Sequence, residues 1–346
     1  MTSPAPATPM PSRTCLLVAA ARAFGSREPD ESLRNPDLLA DQLVGPAELA
    51  LISGHPLSQI REREYAEAAQ DPTIVFFVWA MLARTRFIDE ALRRAVQNGT
   101  KQIVILGAGL DTRAYRFREL LQQCRVIEVD AEPTQQYKKH RLRAAMVDVP
   151  PNLTYARCDF ACDSLSEVLR AAGYNAGEKT FYIWEGVCMY LPEESVRTTL
   201  RTIAAESASG SSLVLDYANR IGIEIGAKYP QGASAVAAAW GEPWLFGVPG
   251  GTDGRDFFRE LGWDTGDPVS FSNHEKISRY TSGEGGRSYG AALFQKFQEE
   301  AQARAKAGDS GSGPLMPELT DEQKEVWRIG AHWLAELTIP PATQPS

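Results

Sequence analysis

Four consecutive apolar residues, Ile103-Val104-Ile105-Leu106, run straight into Gly107-Ala108-Gly109 and then into a helix-compatible segment. An unbroken apolar run of that length marks a strand buried on both faces, since one open face would impose alternation. Further short apolar runs stand at residues 125–130, 153–157, 180–184 and 212–217, with helix-like stretches between them. Strands alternating with helices predict an α/β fold built on an open parallel sheet. The last two strands are expected from Gly262 through Val269-Ser270-Phe271 and from residues 289–297.

The helical pattern is strongest at residues 73–96, where Ile74, Phe77, Val78, Met81, Leu82, Phe87, Ile88 and Leu92 make a broad apolar stripe. A second helix is predicted from Arg13, with Leu16, Leu17, Ala20 and Phe24 on one face and Ser12 as N-cap. Others are expected at 135–146, after Pro192, and at 253–261. Val326, Ile329, Trp333 and Leu337 recur at three and four residues and predict a last helix over 321–337. Residues 218–251 are rich in Gly, Ala, Pro and Trp and long for a plain connection, which predicts an insertion, with Trp240, Trp244 and Phe246 as apolar lining candidates.

The glycine pair gives the pattern its chemistry. Gly107 and Gly109 let the backbone take positive φ and approach a ligand that a Cβ would push away. A dinucleotide fingerprint needs a third glycine or alanine where Thr112 stands, and no Lys-Ser/Thr pair follows, so neither a pyrophosphate loop nor a P-loop is indicated. The second apolar run closes on Asp130, roughly 20 residues after the first glycine, where a carboxylate accepts from ribose hydroxyls. Glu185 closes the fourth run and points into the same crevice, because ligands of open α/β sheets lie beyond the carboxyl ends of the strands. Asp159-Phe160, after the third run, offers a carboxylate beside an apolar ring for an adenine, or else a cap for the next turn.

The stretches Ile-Leu-Gly-Ala-Gly-Leu-Asp-Thr-Arg-Ala-Tyr-Arg, Glu-Val-Asp, Cys158-Asp159-Phe160 and Trp184-Glu185-Gly186-Val187-Cys188-Met189-Tyr190-Leu191-Pro192 resemble the S-adenosylmethionine-dependent methyltransferases of the leucine carboxyl methyltransferase group, some of whose bacterial relatives act on polyketide and other small acids. The similarity runs from about Arg13 to about Phe297. It implies a class I, Rossmann-like, seven-stranded sheet with a helical cap, and S-adenosylmethionine held by Arg84, Gly107, Gly109, Asp130, Asp159, Phe160 and Glu185. Arg84 would clamp the methionine carboxylate, a task that suits the two parallel donors of a guanidinium, with Arg86 as second choice and a solvated helix face as the plain alternative. Tyr190 would touch cofactor or acceptor, or simply pack at the core edge.

Composition narrows the partners. The chain has 346 residues, of which 43% are hydrophobic and 23% charged, enough for one large α/β domain. A formal charge of −8 opposes nucleic-acid backbones and anionic membranes. Five cysteines and no leader-like N-terminus lead us to expect free thiols and a cytoplasmic enzyme. Cys158 and Cys162 suggest no metal, because the four histidines, at 55, 140, 274 and 332, lie at no ligand spacing from them. Expected boundaries are a disordered 1–12, lid helices in 13–100, the cofactor core 101–217, a lid insertion 218–252, the rest of the sheet 253–300, and a linker with a C-terminal helix 301–346.

The function expected is methyl transfer to a carboxylate of a small molecule, polyketide-like or aromatic, giving a methyl ester. A carboxylic acid is already ionised at neutral pH, which fits the lack of an Asp/His pair beside the motifs. Arg13, Arg22 and Arg220 in the cap would neutralise such an acid, unless they are merely exposed. A phenol or alcohol acceptor, needing a base, a protein C-terminal carboxyl, and a nicotinamide oxidoreductase are the alternatives.

Overall fold

The run after Lys101 forms β1 (Gln102–Leu106), and the runs after it form β2 (Arg125–Asp130), β3 (Leu153–Arg157), β4 (Thr180–Trp184) and β5 (Ser212–Ala218), all parallel. The computed structural model describes residues 11–228, 232–250, 253–296, 299, 320 and 331–340. Short strands β6 (Asp264–Thr265) and β7 (Val269–Ser270) and a long β8 (His332–Thr338) complete one eight-stranded sheet in the order β3-β2-β1-β4-β5-β8-β6, with β7 also on β8. Strand order reverses between β1 and β4, so the crevice of this sheet opens beyond their carboxyl ends.

Every residue of β1, β4 and β5 is buried, which explains their continuous apolar runs. Ile103 and Ile105 join Phe181, Ile183 and Val214 in the core under the N-terminal helices, while Val104 and Leu106 face the opposite core with Tyr182, Trp184 and Leu215. Each fully buried Ile, Val or Leu contributes roughly 1.5–3 kcal/mol, so the two layers hold the strand ends, and thus the crevice, rigidly. The helix Pro72–Gln97 packs across β4, β5 and β8. Asp71 starts it, its carboxylate accepting from the N–H groups of Thr73 and Ile74.

The helix Arg13–Gly25 begins at Ser12, whose hydroxyl accepts from the Cys15 N–H. Glu242, in the 218–252 insertion, accepts from the backbone N–H groups of Arg13 and Thr14 at 2.7 and 3.2 Å and from the Thr14 hydroxyl. The two segments expected to form a lid are thus pinned to one another, a carboxylate sitting on the positive end of a helix.

Two expectations about the C-terminal third are corrected. Residues 332–338, read as the end of a helix, form β8, antiparallel to β5 from Ser212↔Thr338 to Ala218↔His332. Trp333, Ala335 and Leu337 face one core and Leu334 the other, so the apolar positions 333 and 337 belong to one face of a strand; residues 321–330, and the linker expected at 308–317, lie outside the described residues. The strand expected at 289–297 is not formed over the described residues 289–296: residues 291–296 are helical, and the sheet position is taken by β8. The expected disorder of residues 1–10 also falls outside the described residues.

Candidate functional site

At the reversal point the loop after β1 meets the segment after β4. Gly107 has φ +61° and Gly109 φ +46°, and a Cβ on Gly107 would overlap the Val187 side chain. Only glycine lets the two strand ends come this close. The Gly109 N–H donates to one Asp130 oxygen and the Ala131 N–H to the other, at 2.6 Å for the latter. Asp130 therefore reaches back under the loop from β2. Burial raises its carboxyl, and those two N–H donors oppose the rise. Cys15, from the Arg13–Gly25 helix, lies over Gly109, its thiol pushed up to about 12 by burial and then by Asp130.

Behind the loop runs an unbroken chain of alternating charges. Arg22 Nη1 contacts Asp37 at 3.2 Å, and Asp37 lies 3.9 Å from Arg116 Nε. Arg116 binds Asp89 through both Nη atoms, at 2.7 and 2.6 Å, and Asp89 binds Arg113 Nε at 2.8 Å. Arg113 Nη1 binds Glu185 at 2.6 Å and also pairs with Asp111. Glu185 holds Arg84 Nε at 2.9 Å, Arg84 Nη1 holds Asp216 at 2.9 Å, and Asp216 Oδ2 meets His332 Nε2 at 3.1 Å. The chain starts on the first helix and ends on the last strand. Burying single ions at this depth would cost several kcal/mol each, and only such mutual pairing makes it tolerable.

The pairing fixes protonation. Burial would raise the Glu185 carboxyl, but Arg113 and then Arg84 outweigh it and hold it at about 2. Burial likewise opposes ionisation of Asp216, and Arg84 together with the His332 hydrogen bond holds it far below the ordinary carboxylate range. The Gly186 N–H adds a 2.6 Å hydrogen bond to Asp216. Donors remain to spare. Arg113 Nη2 and Arg84 Nε are buried without a hydrogen-bond partner, the latter meeting Glu185 only as an ion pair, and no hydrogen bond or ion pair joins Arg84 Nη2 to the described residues.

Gly107, Gly109, Asp130, Glu185 and Arg84 thus come together at one edge of the sheet. Arg84 is buried, which removes the solvated-face alternative. Arg86 is set apart: its guanidinium donates to the backbone carbonyls of Ser32, Arg34, Tyr280 and Ser282 and staples three segments. Asp159 follows β3 at the same edge but is exposed, its carboxylate accepting from the Ala161 N–H at 2.9 Å, so it does cap the turn; Phe160 beside it is half-buried. Tyr190 packs edge-on against Trp244, with ring centroids 6.4 Å apart. Of the lining candidates, Phe246 is buried against Phe257 in the core and Trp240 packs on the other core, leaving Trp244 at the crevice.

Two expectations about charge are corrected. Arg22 is buried, its Nη2 donating to the Leu110 carbonyl at 2.9 Å, so it anchors the glycine loop and cannot meet an acceptor. Arg220 takes the plainer alternative: its side chain is exposed and forms a surface pair with Glu193 at 3.2 Å. An Asp/His pair does exist, Asp216 with His332, flanked by Trp244 at 6.0 Å and Phe271 at 5.2 Å between ring centroids. Sequence reading missed it because 116 residues separate the two. It also missed Arg113, although that residue stands within the glycine-loop motif. The one available signal for Asp216 was its place at the end of an apolar run, as for Asp130 and Glu185.

Among the described residues no group of His, Cys, Asp and Glu could hold a metal ion, no helix is long and apolar enough to cross a membrane, and all five cysteines are unpaired.

The model of the leucine carboxyl methyltransferase family matches residues 15–204. "Putative S-adenosyl-L-methionine-dependent methyltransferase YktD" of Bacillus subtilis is 34% identical over 218 residues, 60% of this chain and 71% of that protein. A protein of the same description from Frankia alni, FRAAL3718, is 28% identical over 77% of this chain and 86% of its own length. Another, SCO7813 of Streptomyces coelicolor, is 32% identical over 68% and 77%. A solved structure of a DUF574 family protein from Streptomyces avermitilis covers 93% of this chain and 97% of its own at 13% identity and a TM-score of 0.45, too weak a likeness to bear on function. The chain belongs to the leucine carboxyl methyltransferase family.

Proposed function

We propose that the crevice holds S-adenosylmethionine and that the protein transfers its methyl group to an oxygen of a small molecule. The observation that carries this is the meeting, at the strand reversal, of a positive-φ glycine loop, the Asp130 carboxylate and two guanidiniums with N–H groups to spare. Gly107 and Gly109 leave room for the nucleoside, and Asp130 accepts from its ribose hydroxyls through the lone pairs that Gly109 and Ala131 leave open. Phe160, and Asp159 through the oxygen that does not cap its turn, would meet the ring face and amine of the adenine. Arg84 Nη2 and Arg113 Nη2 are the donors for the methionine carboxylate. Glu185 acts through these arginines, because each of its oxygens already meets a guanidinium.

The bound cofactor supplies a methyl group on a positively charged sulfur, open to displacement in line. What the chain supplies is alignment and exclusion of water, the terms that dominate such a transfer. The lid pinned through Glu242 and the rings of Tyr190 and Trp244 serve both ends. The five unpaired thiols fit a reducing, cytoplasmic setting.

Two acceptor classes compete. A carboxylate, giving the methyl ester of an aromatic or polyketide-like acid, is the reading that the family description supports, and it needs no base. A hydroxyl is the reading that the Asp216–His332 pair favours, because a phenol or alcohol must lose its proton during transfer.

Calorimetry with S-adenosylhomocysteine tests the cofactor assignment. Wild type is expected to bind it and to ignore NAD. Arg84→Lys keeps a cation between Glu185 and Asp216 but removes the spare fork, so affinity should fall roughly 10- to 100-fold, the scale of a lost charge-assisted hydrogen bond. Unchanged affinity in a folded Arg84→Lys protein would remove Arg84 from the cofactor site.

A further inference from the structure

Asp216 lies two residues before the end of β5 and His332 opens β8, and the register places His332 opposite Ala218, the last residue of β5, at the end of the sheet where the crevice opens. Asp216 Oδ2 meets His332 Nε2 at 3.1 Å. The other faces of the Asp216 carboxylate are filled: Arg84 Nη1 donates at 2.9 Å and the Gly186 N–H at 2.6 Å. A carboxylate so held is ionised and can only accept, so Nε2 must carry the proton that joins them. In neutral His332 the lone pair is then on Nδ1. That nitrogen has no partner among the described residues, and the side chain keeps 26% of its surface exposed.

We infer that His332, oriented by Asp216, is the base that takes the proton from a hydroxyl acceptor, which makes phenols and similarly acidic hydroxyls the substrate class. This rests on reading the crevice as the S-adenosylmethionine site. Trp244 and Phe271 flank the imidazole with their rings turned across it, and Tyr190 lies beyond Trp244, so a flat aromatic acceptor would meet apolar walls beside the base. The acceptor O–H bond breaks and its proton passes to Nδ1. Its oxygen bonds the methyl carbon, the carbon–sulfur bond breaks with its electron pair left on sulfur, and the imidazolium later returns the proton to water. Asp216 is a positioning residue: it fixes the tautomer and stabilises the imidazolium that forms. The same Asp216 touches Arg84, so the donor side and the acceptor side of the crevice share one carboxylate.

The groups facing His332 are Asp216 from β5, with Arg84 behind it, and the uncharged Trp244 and Phe271. A positioned base contributes roughly 100- to 10,000-fold. Labelled S-adenosylmethionine is offered with 4-methylphenol and 4-methylbenzoic acid as a first matched pair, followed by larger phenols and their acid counterparts. Base-stable label on phenols, a rate that rises with pH through one ionisation, a loss of about 100-fold or more in His332→Ala with S-adenosylhomocysteine binding unchanged, and partial recovery with added imidazole are expected. Base-labile label on the acids alone, or phenol methylation at an unchanged rate in His332→Ala, overturns the inference and leaves the cofactor assignment standing; failure of wild type to bind S-adenosylhomocysteine overturns that assignment instead. Should no probe be methylated, nitrogen NMR of the histidine ring decides. An Nε2–H tautomer of His332 whose Nδ1 signal moves when phenol joins the S-adenosylhomocysteine complex supports the role, and an Nδ1–H tautomer or an unmoved signal refutes it. With four histidines in the chain the signal is assigned by difference against the variant.

Discussion

Arg113→Met should destabilise the protein by about 3–5 kcal/mol at neutral pH, the scale for breaking a buried ion pair by removing one partner. The upper end is expected, since this one guanidinium meets Asp89, Asp111 and Glu185, all within a site that water barely reaches. Against a total stability of about 5–15 kcal/mol, that is a large fraction of the whole. The loss should also depend on pH. Glu185 is held at about 2, below its ordinary 4.5, so in the wild type its contribution is present at neutral pH and is lost as pH falls through about 2. In Arg113→Met the same carboxylate is buried with less compensation, its folded value moves upward, and acidification relieves it. Urea unfolding between pH 7.5 and pH 3 should therefore show the gap between wild type and variant narrowing as pH falls. A gap of under 1 kcal/mol, or one that holds constant with pH, would mean that the charge chain does not organise the crevice.

That chain separates what the sequence makes legible from what it hides. Strands β1, β4 and β5 are buried on both faces, and their largely apolar runs record this. The acids that end the strands are legible for the same reason: Asp130 and Glu185 each stand where an apolar run stops. Positive φ at Gly107 and Gly109 follows from a Gly-x-Gly after a strand. Pairing across the fold is another matter. Asp37 with Arg22, Asp89 with Arg113 and Arg116, and Asp216 with Arg84 and His332 join residues that share no local period, so no window of sequence contains them. Strand β8 was hidden by its own burial. Trp333 and Leu337 face one core and Leu334 the other, and Leu334 amid His332, Glu336 and Thr338 blurs the alternation that would have marked a strand. Missing β8 meant missing His332, and with it the evidence on the acceptor.

Gly109→Val is expected to abolish S-adenosylhomocysteine binding, a loss of at least about 100-fold, while the protein stays folded. Gly109 has φ +46°, where a branched residue is strained, by roughly 1–2 kcal/mol for the left-handed conformation itself. A Cβ there would stand 3.0 Å from Cys15 Sγ, the end of a side chain that can give by a few tenths of an ångström. Stability should therefore drop by no more than about 2–3 kcal/mol, within the range of ordinary substitutions. Binding suffers more, because the loop has two tasks that a branched side chain defeats together. It must leave room for the nucleoside, and its N–H must keep the Asp130 carboxylate aimed at the ribose. Gly107 is a poorer site for the test, since any Cβ there overlaps Val187 and would push β1 and β4 apart, confounding folding with binding. The measurement is paired: thermal unfolding to show that Gly109→Val retains its cooperative transition, and calorimetry with S-adenosylhomocysteine. A folded Gly109→Val protein that binds with the wild-type dissociation constant would show that the nucleoside lies elsewhere than on this loop.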